Sequence, residues 1–239
     1  PELLGSDKLE DLVAHSKLVV DATRDIALAY KPNFAFFERW GPKGFEWLEQ
    51  LIKYIGEGPI LIADAKRGDI GTTASQYAQS VFNYFGFDCV TLGPYLGADS
   101  IDPFISHSEK GVFILCRTSN PSGAEFQNMA IKNNTTLYES VASWANSLNS
   151  KDNIGLVVGA TAPEELSAVR NIAPELPLLI PGIGAQGGDL EQSIRVGNST
   201  GIGIINVSRS ISFAGNLSKS DIKKSAIAYV SRMNEALNE

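Results

Sequence analysis

Short apolar runs of strand length recur along this chain, each followed by a stretch with helical spacing. That alternation limits the fold more than any other feature. Runs over 31–36, 59–66, 89–95, 111–119, 153–160, 177–183 and 201–208 read as strands. Helical spacing covers 44–56, 70–86, 99–108, 135–149, 163–173 and 189–197, with a last helix over 219–237. The first thirty residues read as a helix, with Leu9, Leu12, Val13, Val19, Val20, Ile26, Ala27 and Tyr30 along its apolar side. Strand alternating with helix builds βαβ units and a parallel sheet. Most connections have the length of one such unit; a longer one, over 120–134, is rich in Asn, Ser and Thr. No linker or shift in composition divides the chain, so 1–239 is expected to be a single domain.

Two α/β architectures fit this pattern. An open, doubly wound sheet normally carries a Gly-rich phosphate turn after its first strand, and Lys31-Pro32-Asn33 offers none. A TIM (β/α)8 barrel needs eight strands in about this length. The barrel is the expected fold, with one further strand expected ahead of Pro1.

Composition narrows the function classes. Apolar residues make up 44% of the 239, enough for a large core, and no run is long enough to span a bilayer. Residues 1–16 lack the pattern of a secretion signal. The formal net charge of −7, without blocks of like charge, argues against nucleic acid or an anionic membrane as partner. Cys89 and Cys116 both lie in apolar runs and read as core thiols of a reducing compartment, which points to a cytoplasmic location.

The chemistry concentrates at the ends of the strand-like runs, where a barrel collects its catalytic groups. The run 59–63 leads directly into Asp64-Ala65-Lys66-Arg67-Gly68-Asp69-Ile70. Asp64 and Lys66 are two apart on a strand, so they point the same way. Buried charges are normally paired, neutralised or functional. Lys31, Ser119, Gln186 and Arg209 stand at the edges of other strands. Taken singly, Lys31 reads as a solvated charge, Asp69 as a residue favouring a helix start, and Ser119-Asn120-Pro121-Ser122-Gly123 as an ordinary turn. Pro181-Gly182-Ile183-Gly184-Ala185-Gln186-Gly187-Gly188-Asp189 is more specific. Its glycines let backbone amides approach an anion closely. Ser208-Arg209-Ser210 ends the next unit, and the last two loops of a barrel are a frequent phosphate site. Together these predict a phosphorylated substrate, with Arg209 as a forked donor. His15 and His107 read as surface or capping residues. No His/Cys cluster has metal spacing, and a lysine between Asp64 and Asp69 argues against a tight cage for Mg²⁺.

Asp64-Ala65-Lys66-Arg67-Gly68-Asp69-Ile70 matches Asp-x-Lys-x-x-Asp-Ile, and here the chain resembles the orotidine 5′-phosphate decarboxylases, its wording nearest to their bacterial and protozoan branch. Ala29-Tyr30-Lys31-Pro32-Asn33, Arg117 to Pro121, Pro181 to Asp189 and Ser208-Arg209-Ser210 are similar to that family's other site segments. The resemblance implies decarboxylation of orotidine 5′-phosphate to UMP in pyrimidine biosynthesis, without metal or organic cofactor. It implies that Lys66 protonates C6, that Asp64 holds Lys66 beside the departing carboxylate, and that Lys31 bonds the ribose and Asp64. Ser119 would read the pyrimidine edge, and Gln186 and Arg209 would hold the phosphate, with Pro181 and Ser208 in the same binding loops. It also implies a homodimer in which Asp69, Ile70 and Thr73 reach into the neighbour's site. The family's first strand ends in an aspartate that binds ribose, and Pro1-Glu2-Leu3-Leu4 resembles the sequence just after it. Two alternatives stand beside this reading: a Mg²⁺-dependent sugar-phosphate decarboxylase or aldolase of the same barrel type, and a nucleotide-binding barrel without catalysis.

Overall fold

A computed structural model describes residues 2–238. Seven strands form one parallel sheet in sequential order: β1 (Ala29–Tyr30), β2 (Ile60–Arg67), β3 (Cys89–Leu92), β4 (Gly111–Arg117), β5 (Ile154–Val158), β6 (Leu178–Pro181) and β7 (Gly203–Asn206). Each strand pairs with its successor in chain order. A doubly wound sheet reverses direction at a switch point. This one never does, and its curl with helices outside is that of a TIM barrel.

The two faces of the strands bury different things. Ile62, Phe113, Val157 and Leu179 form a small inner cluster, with Ala29, Ile60, Cys89, Leu115 and Ile204 packed on it. The alternate residues, such as Leu61, Ala63, Val112, Ile114, Leu156 and Leu178, face the helices in a much larger core. Both faces are covered, which explains why the strands read as continuous apolar runs rather than alternating ones. Ile60, Ile62 and Asp64 lie on the inner face, so apolar packing fills the lower interior and charge begins above it.

Several boundaries differ from expectation. The predicted strand 31–36 is the two-residue β1 followed by a helix over Ala35–Glu38. Pro32 has no N–H for a ladder, and the Asn33 side chain accepts the Ala35 amide at 3.1 Å, favouring a helix start. The first helix spans Leu9–Thr23 rather than thirty residues. The stretch 70–86 is an α-helix over Gly71–Ala78 that widens into a π-helix over Gln79–Tyr84. The 120–134 connection carries its own short helical turns, Pro121–Gly123, Ala124–Gln127 and Lys132–Asn134. A helical turn over Arg209–Ser212 follows β7. No helix of the described residues is long and apolar enough to cross a membrane.

Candidate active site

The mouth of the inner face is assembled by β1, β2 and β3. Asp64 is buried, and both of its carboxylate oxygens are engaged. Lys31 Nζ donates to Oδ2 at 2.5 Å and Lys66 Nζ donates to Oδ1. Lys31 stands just past β1, not at the start of a longer strand. It is held level with Asp64 because the backbone pairing resumes beyond it: the Asp64 amide donates to Pro32 O at 3.0 Å and the Phe34 amide to Asp64 O at 3.2 Å. Burial raises the cost of charge on Asp64, but the two ammoniums outweigh it and hold the carboxyl below the usual carboxylate range. Burial pulls the Lys31 ammonium downward against the attraction of Asp64. Acid and base are thus both lowered.

Lys66 does share a side with Asp64, though not by simple alternation. Its φ is +47°, in the left-handed region, and the β2–β3 register slips between Ala63 and Arg67. The Lys66 side chain is half exposed, reaching out of the mouth while remaining tied to Asp64. The neighbouring Arg67 is clamped from outside. Its guanidinium lies 5.3 Å from the Phe34 ring centre and 5.0 Å from that of Tyr77, and it pairs with Glu38 at 2.6 Å.

Asp69 does not join this network. Its Oδ1 accepts the Ile70 amide at 2.8 Å, and it forms no ion pair among the described residues. Ile70 and Thr73 are exposed beside it. The structure therefore brings Lys31, Asp64 and Lys66 together within one chain and leaves the half-buried Asp69 and the exposed Ile70 and Thr73 outside that network.

The binding loops form a second group. Ser119 Oγ donates to Gln186 Oε1 at 3.2 Å, joining the loops after β4 and β6. Gly159, at the end of β5, passes so close that a Cβ there would lie 2.7 Å from Ser119 Cα. Gly184, at φ +80°, would drive a Cβ into the Ser210 hydroxyl, so only glycine lets the β6 and β7 loops meet here. Pro181 ends β6 and Ser208 precedes the turn that carries Arg209. Ser208 and Arg209 are exposed, and the Arg209 guanidinium makes no hydrogen bond or ion pair among the described residues. Asp189 is turned away from the site: it caps the helix Leu190–Gly197 by accepting the Gln192 amide at 2.9 Å.

Three contributors lacked an assignment in the sequence. Thr91 lies beneath Lys66, and its only signal was a hydroxyl in an apolar run. Arg117 pairs with Glu165 at 3.3 Å, and Gln127 accepts the Thr118 amide at 3.0 Å; both brace the Ser119 loop. Neither partnership has a fixed spacing that a sequence could display. Cys89 and Cys116 are free thiols, pushed by burial up to about 11 and about 12, so neither is a nucleophile near neutral pH.

Residues 9–220 match the model of the Orotidine 5′-phosphate decarboxylase / HUMPS family. The chain belongs to that family. The orotidine 5′-phosphate decarboxylase of Natronomonas pharaonis is 48% identical over 217 residues, covering 90% of this chain and 79% of that one. The Roseiflexus castenholzii enzyme of the same name is 47% identical over 218 residues, with the same coverage. The structure of Leishmania donovani OMP decarboxylase superposes with a TM-score of 0.90 at 36% identity, over 98% of this chain and 91% of that one. Leishmania donovani UMP synthase has a TM-score of 0.91 at 39% identity, over 97% of this chain but 52% of that one. The expected barrel fold and family resemblance are both borne out.

Proposed function

We propose that this chain decarboxylates orotidine 5′-phosphate to UMP, with Lys66 as the proton donor. The observation that carries the reading is the shared carboxylate. Asp64 holds Lys31 on one oxygen and Lys66 on the other, above the apolar inner cluster. Loss of CO2 from C6 leaves an electron pair in the plane of the ring, where π delocalisation is no help. A fixed ammonium aimed at that carbon stabilises the charge and then supplies the proton. Asp64 holds and orients the Lys66 ammonium through their ion pair. Lys31, on the other oxygen, is assigned to the ribose hydroxyls in this reading.

Substrate binding falls to the second group. Ser119 and Gln186 read the pyrimidine edge and the phosphate, and Arg209, exposed and unpaired, takes the phosphate as a fork. Phosphate lies far from the breaking bond, so its binding energy serves to close loops and position the ring. Asp69, Ile70 and Thr73, outside that network, suit a homodimer in which each chain completes its neighbour's site. Exposed Tyr95 and Leu96 add apolar surface to the loop after β3. A Mg²⁺-dependent sugar-phosphate reaction fits less well, because two ammoniums already occupy the Asp64 oxygens that a cation would need.

The test is the ultraviolet absorbance of orotidine 5′-phosphate on adding the protein. A fall that is unchanged by EDTA is expected. No fall, with UMP still bound, would favour a non-catalytic binding barrel, and turnover of a keto-sugar phosphate abolished by EDTA would favour the Mg²⁺ reading.

A further inference from the structure

Thr91 belongs to β3 and is 2% exposed. It stands two residues beyond Cys89, which packs on the inner apolar cluster, so its side chain lies on the inner face directly above that layer. Its hydroxyl accepts the Lys66 backbone amide at 2.9 Å and donates to Asp64 Oδ1 at 3.3 Å. A hydroxyl has one hydrogen and two lone pairs, and these two bonds use the hydrogen and one lone pair.

The position matters because of what happens to β2 at this level. The ladder to β3 is broken between Ala63 and Arg67, so the Lys66 amide meets a side chain where a strand carbonyl would otherwise stand. Lys66 also has a left-handed backbone, which a long side chain adopts only when its surroundings enforce it. That backbone is what returns the Lys66 side chain over Asp64. One hydroxyl thus grips both the strained backbone of the ammonium's carrier and the oxygen to which that ammonium is paired.

We propose that Thr91 is a positioning residue for the decarboxylation, fixing the direction of the Lys66 ammonium by holding the Lys66 amide and the Asp64 carboxylate at once. The inference rests on reading Lys66 as the proton donor. Valine has the shape of threonine and neither polar function, so Thr91→Val would leave a buried amide without an acceptor.

Thr91→Ser and Thr91→Ala both lose the methyl group and differ only in the hydroxyl. Turnover of orotidine 5′-phosphate is measured for each, per UMP-binding site, beside the parent protein. Thr91→Ser should keep kcat within about threefold of the parent, and Thr91→Ala should lose about tenfold or more. KM and the affinity for UMP should stay within about twofold in both. If Thr91→Ala does not fold, the volume-conserving Thr91→Val takes its place with the same expected loss. Equal kcat for the serine and hydroxyl-free variants, or losses that follow only the melting temperature, would overturn the positioning role. A parent protein that binds UMP but releases no CO2 would remove the lysine reading itself, and the Thr91 role with it.

Discussion

The end of β2 and the paired loops after β6 and β7 carry the two groups of charge proposed to act on the substrate, and they are built in opposite ways. At the end of β2 every charge inside the mouth is already engaged. Asp64 binds two lysines, Thr91 binds both Asp64 and the Lys66 amide, and Arg67 is clamped by Glu38 and two aromatic rings. In the loops, Arg209 is exposed and unpaired among the described residues, and Gln186 has a single weak tie to Ser119. The groups proposed to act on the breaking bond are preorganised, which is where electrostatic stabilisation is most effective. The groups proposed to hold the phosphate are left for the ligand to order. The difference predicts that damage to the first region reduces kcat and damage to the second reduces binding of the phosphate.

Lys66→Ala should give the largest effect. Removing both the fixed charge and the proton source is expected to lower kcat by about 10⁴-fold or more, with UMP affinity far less affected. Retained turnover would break the division between the two regions. Mixing inactive Lys66→Ala and Asp69→Ala proteins sharpens it: in a shared-site dimer, subunit exchange should restore one working site per mixed dimer. Confirmed exchange without recovery would place Asp69 outside the chemistry.

Arg209→Ala comes next. It removes a charge-assisted contact of about 1.5–3 kcal/mol, so kcat/KM for orotidine 5′-phosphate should fall roughly ten- to hundredfold. Orotidine without its phosphate is the control, and the variant should process it as slowly as the parent does. An equal loss on both substrates would mean that Arg209 supports the fold or the ring rather than the phosphate.

The same contrast explains what could be read from the chain alone. The barrel was legible because seven strand-like runs alternate with helical stretches, most at the spacing of one βαβ unit, and both strand faces are apolar. The β2 end was legible because Asp64, Lys66 and Asp69 lie within six residues, and a motif that short survives as a pattern. The short β1 was not legible, since its two-residue ladder continues through isolated backbone bonds around Pro32 that no hydropathy pattern marks. Nor was the left-handed turn at Lys66, because lysine carries no mark of it as glycine does. Thr91 and the Arg117–Glu165 brace depend on residues brought together by the closed packing of distant strands and helices.

The smallest expected effect concerns stability and returns to Asp64. Its folded carboxyl lies below the ordinary value, with burial opposing and Lys31 and Lys66 prevailing. A carboxyl lowered in the folded state binds protons less readily there than in the unfolded chain. Its contribution is therefore complete above the ordinary pKa of about 4 and disappears as pH falls through the lowered folded value. Asp64→Asn keeps the shape but leaves two ammoniums facing a neutral amide, at an expected cost of about 1–2 kcal/mol near neutral pH. The gap in melting temperature between parent and variant should be constant from pH 7 to about 5 and should narrow below about 4. The equivalent pair in the open loops, parent against Arg209→Ala, should show no such narrowing, because the Arg209 guanidinium has no partner among the described residues to lose. A gap for Asp64→Asn that persisted undiminished into strong acid would mean that the carboxylate stabilises this mouth by shape alone, and the division between a preassembled and an unassembled half would have no electrostatic basis.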